Sequence, residues 1–508
     1  MTGRIAKSAR NARYGLLAQG LYLILNFAVR YALTHCIGLT AVSLNGLFSE
    51  ILNILNLAEL GLGLAVTYSL YQPLAVLQNG TEENKTVAQI KISGIMNLLH
   101  RAYLIIAAVI FTAGIALAPW IQYLVKNLDV SLAYMRLVYA MFVVQTSVSY
   151  LFSYKMILLT ADQKSYVASK INLGVRTIFF GISLVMIAVF SSFIGYLMSE
   201  IGYNIVYYLV VDRKASAAYP YLDNTVELPA QEKHKIFLDI RHMFASKLSN
   251  KILNSTDNVL ISTIVGTASV GIYSQYSMFL NGFLRVFASM NEAMVGSVGN
   301  MIASESSEST VQSLRRTTYL FFAAALICSC ALYGGIDPFL ANVMGKQYVL
   351  PRIVVYIAVL NMLYETAKMP LWTFFSAAGL FGADQWISMA GAVINLIVSI
   401  WWGKLWGIFG IFLGTTVSLL LMQAAKTAIF ATRMQSSIHS DLLRWGFYLV
   451  TAGVCLWLTD LSVGIVGGWI TKVLLGGCIG AAGAVLPYIK TDELRWAYKL
   501  CLHRRHDA

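Results

Sequence analysis

Charge is what this chain has least of. Only 12% of its 508 residues are Asp, Glu, Lys or Arg, whereas a soluble domain carries roughly 25% charged residues to face water. With 58% hydrophobic residues, most of the folded surface must face lipid. No run alternates polar with apolar residues as a barrel strand would, so the long apolar runs are read as helices. Six cysteines fall mostly inside these runs at no metal-like spacing, which excludes a disulfide framework and a zinc site. A glycine-rich loop ending in Lys-Ser or Lys-Thr is missing, so the chain is not an ATP-binding subunit. No outer loop exceeds about fifteen residues, which leaves no room for an external catalytic domain, so no enzymatic activity is expected.

The net charge of +13 does not form a continuous basic face with a binding motif, and nucleic acid is excluded as a partner. The first apolar run follows Arg4, Lys7, Arg10 and Arg13 but is too long for a signal peptide. It also contains Arg30 and lacks a small-residue cleavage site, so it is read as a retained helix.

A helix needs about 20 apolar residues to cross a hydrocarbon core of roughly 30 Å. The expectation is an all-α integral membrane protein with about 14 such helices, near 14–37, 43–70, 94–118, 132–159, 171–190, 193–211, 243–265, 271–299, 317–335, 352–376, 385–402, 405–430, 443–460 and 465–489. Only Lys126, Lys346 and Lys404 fall in the outer loops, while the cytoplasmic segments hold most other basic residues. By the positive-inside rule both termini are therefore expected in the cytoplasm.

The longest polar interruption, from Asp212 to Arg241, contains Pro220 and Pro229 and reads as a linker. It ends in an amphipathic stretch (Lys235, Ile236, Phe237, Ile240, Arg241) expected to lie on the inner leaflet. The expected organisation is an N-terminal lobe over 1–211, a cytoplasmic linker over 212–242, a C-terminal lobe over 243–430, and two further helices with a basic tail over 431–508. Lys490, Arg495, Trp496, Tyr498, Lys499, Leu500, Arg504 and Arg505 in that tail suggest contact with anionic headgroups.

An internal repeat appears at an offset of 228 residues. Gln19, Tyr22, Asn26, Arg30 and Thr34 line one helical face and become Lys247, Asn250, Asn254, Asn258 and Ser262. Gly38 maps to Gly266, Val42 to Val270, Ser49 to Ser277 and Asn53 to Asn281. Repeats joined by a linker are a recurrent transporter plan, with substrate held between the halves near mid-membrane.

An ionisable group at mid-membrane costs roughly 2.5 to 3.5 kcal/mol on insertion scales, so it demands a partner, water or a function. Arg30, Glu59, Glu200, Lys251, Asp257, Arg285, Glu292, Glu365 and Lys368 lie well inside expected spans. Ser277, Asn281, Arg285, Ser289, Glu292 and Gly296 follow helical steps along one face. Arg30 and Arg285, assisted by Lys251, are candidate anion-binding groups, because a guanidinium presents paired donors to phosphate oxygens. Asn26, Asn254, Asn258 and Asn281 are candidate substrate contacts, although such residues often only glue helices together. Glu59, Asp257 and Glu292 are assigned to charge neutralisation or ion coupling. Arg101, Lys155, Arg176, Lys426 and Lys472 lie nearer span ends and are expected to snorkel.

Several segments resemble the polysaccharide flippases (Wzx-type) of the multidrug/oligosaccharidyl-lipid/polysaccharide exporter (MOP) superfamily. They are Arg10-Asn11-Ala12-Arg13-Tyr14-Gly15, Asn26-Phe27-Ala28-Val29-Arg30, Leu57-Ala58-Glu59-Leu60-Gly61-Leu62-Gly63, Ser69-Leu70-Tyr71-Gln72-Pro73-Leu74, and Thr256-Asp257-Asn258-Val259-Leu260-Ile261-Ser262 with Gly266 and Gly271-Ile272-Tyr273. The resemblance implies two six-helix lobes in a V shape plus two helices, in a bacterial cell membrane. It also implies alternating access for an undecaprenyl-diphosphate-linked oligosaccharide, with Arg30 and Arg285 at the diphosphate and the Asn-rich stripes at the sugars. Expected partners are that lipid-linked substrate, membrane lipids and other polysaccharide-assembly proteins. No cofactor is expected beyond coupling to a proton or sodium gradient or to the membrane potential. Two other readings stand beside it: a cation-coupled drug or small-molecule antiporter of the same fold, and a non-transporting accessory subunit.

Overall fold

The computed structural model describes residues 24–59, 62–79, 81–126, 130–162, 164–234, 236–237 and 256–503. Among these the regular structure is helical throughout, without a strand. Nine of the described helices are long and apolar enough to cross a membrane, and the protein is a multi-pass membrane protein. The chain divides into two compact units, Met1–Gly271 and Ile272–Ala508.

In the first unit, helix α1 (24–32) runs into a π-helical turn, Leu33–Ile37, and then α2 (Leu39–Leu55), a 3-10 turn at Asn56–Glu59 and α3 (Leu62–Asn79). The single helix expected over 43–70 is thus interrupted, in the glycine-flanked stretch from Asn56 to Gly63. Helix α4 (Glu82–Leu117) starts twelve residues before the expected 94–118. At 1.5 Å per residue its 36 residues extend about 54 Å, well beyond a bilayer core. A short α5 (Ile121–Leu124), α6 (Leu132–Phe152), α7 (Tyr154–Ala161), α8 (Ser165–Ala188) and α9 (Phe193–Ala218) follow, with the expected 132–159 helix broken at Ser153. Val66, Leu70, Ile92, Leu99, Ile110, Leu158 and Val211 from these helices meet in one apolar core.

The linker packs on α4. Ser93 donates to the carbonyl of Tyr221 at 3.2 Å and Asn97 to that of Val226 at 2.8 Å, so the linker backbone is strapped along α4. Leu228 presses on Gly94, where an added Cβ would come 3.1 Å from Leu228 Cγ. Lys91–Glu232 and Arg101–Glu227 ion pairs, each at 2.9 Å, flank the strap. Ile236 is buried in the core and Phe237 is exposed, while the rest of the expected amphipathic stretch (Lys235, Ile240, Arg241) lies outside the described residues.

A four-residue helix α10 (Asp257–Leu260) leads to a second π-helical turn, Ile261–Val265, and to α11 (Thr267–Ser304), whose later part enters the second unit. That unit continues with α12 (Ser307–Val343), α13 (Arg352–Ala377), α14 (Phe381–Trp406), α15 (Ile408–Met434), α16 (Ile438–Val463), α17 (Trp469–Val485) and α18 (Asp492–His503). Small residues bring α17 against α12: an added Cβ would run into the Cys330 carbonyl oxygen at Gly476 and lie 2.7 Å from Ile327 Cα at Gly480. In the tail α18 docks on α12, with the Arg316 guanidinium 5.4 Å from the Trp496 ring centroid and Arg444 paired with Glu493, while Lys490, Arg495 and Tyr498 are exposed.

Candidate functional site

The repeat expected from the 228-residue offset recurs in backbone geometry. The π turns Leu33–Ile37 and Ile261–Val265 are equivalent position for position, and each ends in a left-handed-region glycine, Gly38 at φ 107° and Gly266 at φ 136°. Only glycine adopts such angles without strain, and each glycine N–H closes the π turn onto the carbonyl of Leu33 or Ile261 at 2.9 Å. The equivalent positions Ser43 and Gly271 also touch, so closely that a Cβ on Gly271 would collide with Ser43 Oγ. Beside them Lys126 is tied to the second turn, its N–H donating to Thr267 Oγ1 at 2.8 Å and its ammonium to Thr263 O at 2.7 Å.

Within the first unit Asn26 and Arg30 are half-buried on α1. Thr34, one turn on, donates to the Arg30 carbonyl at 2.8 Å. Asp257 and Asn258 are half-buried, and Asn258 Oδ1 is buried with no hydrogen-bond partner among the described residues. Lys251 and Asn254 lie outside the described residues. Glu59, assigned from sequence to neutralisation or ion coupling, sits at the end of the helix interruption. Its carboxylate accepts from Tyr103 Oη at 2.7 Å and Tyr150 Oη at 3.1 Å. Gly63 makes room for it, since a Cβ there would come 3.3 Å from Glu59 Oε1.

Two basic residues expected to snorkel do not. Arg176 pairs with Glu200 at 2.7 Å, both side chains 11% exposed, and its guanidinium lies 4.7 Å from the Tyr203 ring centroid. Lys155 pairs with Asp212 at 2.8 Å and donates to Ser216 Oγ at 2.7 Å. A mid-membrane acid such as Glu200 has to be answered, and the helix beside it supplies the answer.

In the second unit Asn281, Arg285, Ser289 and Glu292 are all exposed along one face of α11, while Tyr276, Leu280 and Phe287 are buried on the other. Four of the six residues of the stripe read from sequence are therefore exposed, and Ser277 is half-buried. The sequence reasoning placed Glu365 and Lys368 inside a span but did not join them to Asp384 and Lys426, with which they form a buried charged cluster. Lys426, expected to snorkel, is 1% exposed and paired with Asp384. Its ammonium lies 3.3 Å from the centroid of the Trp372 ring. Lys368, itself paired with Glu365 at 2.8 Å, lies 4.0 Å from the same ring. The spacing of Gln423 and Lys426, three residues apart on one helical face, was the available clue. The expected span ended at 430, whereas α15 runs to Met434, so Lys426 sits two turns from the helix end.

No family model matches the sequence, and no curated protein matches it significantly. Its fold does match solved structures. An inward-facing multidrug resistance MATE family transporter of the MOP superfamily aligns at TM-score 0.60 and 14% identity, over 81% of this chain and 94% of that one. The chain has a MATE/MOP-like fold. A point mutant of the MATE transporter VcmN of Vibrio cholerae aligns at TM-score 0.59 and 14% identity, covering 86% of this chain and 99% of that one. The lipid II flippase MurJ, inward closed, aligns at TM-score 0.57 and 12% identity, covering 92% of this chain and 98% of MurJ. These neighbours of the fold are transporters and a flippase, not enzymes.

Proposed function

We propose that the chain is a flippase that carries an undecaprenyl-diphosphate-linked oligosaccharide from the inner to the outer leaflet of a bacterial cell membrane, by alternating access, for surface polysaccharide synthesis. The observation that carries this reading is the polar face of α11, with Arg285 and Glu292 exposed along a 38-residue helix that the sequence leads us to place in the membrane. Lipid would penalise those charges by several kcal/mol, so the face is read as lining water. A diphosphate drawn through hydrocarbon loses its hydration, and a guanidinium in a wet path restores it with charge-assisted hydrogen bonds. Arg30 is proposed to serve the same anion, with Asn26, Asn258 and Asn281 at the sugars and Glu59, Asp257 and Glu292 balancing charge or coupling ions.

The likeness to MurJ supports a lipid-linked cargo, and that alignment leaves less of this chain unmatched than those to the MATE transporters. A pocket for cationic drugs would lead with carboxylates and aromatics, whereas here an exposed guanidinium leads.

The test is complementation with Arg30→Ala and Arg285→Ala, together with leaflet-resolved measurement of the lipid-linked sugar. One charge-assisted hydrogen bond contributes about 1.5–3 kcal/mol, so each variant is expected to lose about ten- to a hundredfold in outward movement. Undiminished movement by both correctly inserted variants would remove the arginines as anion-binding groups.

A further inference from the structure

The cluster around Lys426 has no part in the cargo path proposed above, yet it is the most deeply buried charge among the described residues of the second unit. Three helices build it. From α13 come Glu365, Lys368 and Trp372, from α14 Asp384 and Ser388, and from α15 Gln423 and Lys426, each set spaced three or four residues apart as on one helical face, with Thr427 next to Lys426 on an adjoining face. The Lys426 ammonium is held by one carboxylate and by two aromatic rings, with the Trp372 centroid at 3.3 Å and the Phe375 centroid at 5.6 Å.

Around this pair the usual rule of buried polar groups is broken. The Gln423 amide oxygen and nitrogen, Thr427 Oγ1, Ser388 Oγ and Trp372 Nε1 are all buried without a hydrogen-bond partner among the described residues. Gln423 is 1% exposed, Thr427 4% and Ser388 0%. Most buried polar atoms in native proteins are paired, so several orphans on neighbouring turns call for a reason. A structural ion pair does not supply one, because apolar residues of equal volume would hold the helices as well or better. A carboxylate with an amide and a hydroxyl one turn away along its own and the neighbouring helix is instead a donor set suited to a hard cation.

We propose that Lys426 is a tethered cation, its ammonium filling from within the chain the place beside Asp384 that an alkali ion would otherwise take. The second unit therefore needs no bound sodium or potassium ion at this cluster. Any alkali-ion dependence of transport has to arise elsewhere. The inference does not depend on the cargo, and it is tested without one.

The test compares thermal unfolding of the purified full-length protein and its Lys426→Ala variant in equal concentrations of choline, sodium, potassium and methylammonium chloride. The wild-type Tm in each salt sets the baseline, so that a response to sodium or potassium at any other site is subtracted. The variant is expected to melt lower in choline and to regain stability saturably in sodium, potassium or methylammonium, because a ligand that binds only the folded state raises its stability by mass action. Adding Asp384→Asn to the variant is expected to abolish the recovery. Should Lys426→Ala not yield monodisperse protein, Lys426→Gln, which keeps most of the volume, is read by the same comparison. A variant indifferent to the cation, or a recovery that survives Asp384→Asn, overturns the proposal.

Discussion

Arg176 and Glu200 show what a single charged side chain demands inside a membrane helix. Each is nearly buried and each is the other's ion-pair partner, on adjacent helices α8 and α9. Removing one member leaves an uncompensated charge, which costs about 3–5 kcal/mol, whereas replacing both with apolar residues of similar volume is close to neutral. Arg176→Met is therefore expected to destabilise the protein by about that amount, and Arg176→Met with Glu200→Leu to regain most of it. Thermal or denaturant unfolding of the four proteins in the cycle measures this, and a double variant as unstable as the single one would contradict it. Glu59 is different in kind, because its partners are two phenols and not a cation. Its presence inside a span was legible in the sequence. Its partners were not, since Tyr103 and Tyr150 come from helices 44 and 91 residues away and no local spacing announces them.

Among elements, the helices whose apolar runs are continuous, such as α8, α9, α14 and α15, fall close to the expected positions. The errors cluster where the apolar pattern runs straight through a backbone break, at Asn56–Gly63 and at Ser153, or where a helix continues past the lipid into polar sequence, as α4 and α12 do. Hydropathy reports where lipid is, not where a helix ends. The packing of α17 on α12 was also hidden, because Gly476 and Gly480 matter only once the facing backbone is known. Gly480→Val is expected to force the two helices apart and cost at least about 1–3 kcal/mol, the range for an overfilled core. A melting temperature unchanged from wild type would disprove that contact.

The linker strap makes a second prediction at this scale. The N–H and hydroxyl of Thr225 hold the Asp223 carboxyl below its usual range, and the Lys233 ammonium, then Arg101, do the same for Glu227. Groups whose pKa is depressed in the folded state stabilise it above the ordinary carboxylate pKa, near 4, and lose that contribution as pH falls through their lowered values. Protection factors in residues 219–234, which correct exchange for the intrinsic pH dependence of unprotected amides, are expected to change little from pH 7 to 5 and to fall below about pH 4. Strap amides that stay equally protected in acid would show that these carboxylates do not fasten it.

For the molecule as a whole, the two-part repeat was the most informative thing written in the sequence. Matching single residues across 228 positions paired Gly38 with Gly266, and the structure gives each of the two a π turn of the same bounds before it, a feature the sequence did not announce. The orientation in the membrane rests on the scarcity of basic residues in the outer loops. Cysteines placed at Lys404 and at Lys233 are expected to react with an impermeant thiol reagent from opposite sides, Lys404→Cys in intact cells and Lys233→Cys only after permeabilisation. Labelling of both from outside would reverse or break the topology.

The meeting of Ser43 with Gly271 has an implication for descent. If the two halves arose by duplication, that contact was once made by one residue against its own copy across a two-fold axis, where both chains had to carry the same side chain. Fusion into one gene freed the two copies to diverge. One kept a hydroxyl while the other gave up its Cβ, a closer approach than any identical pair larger than glycine could have reached.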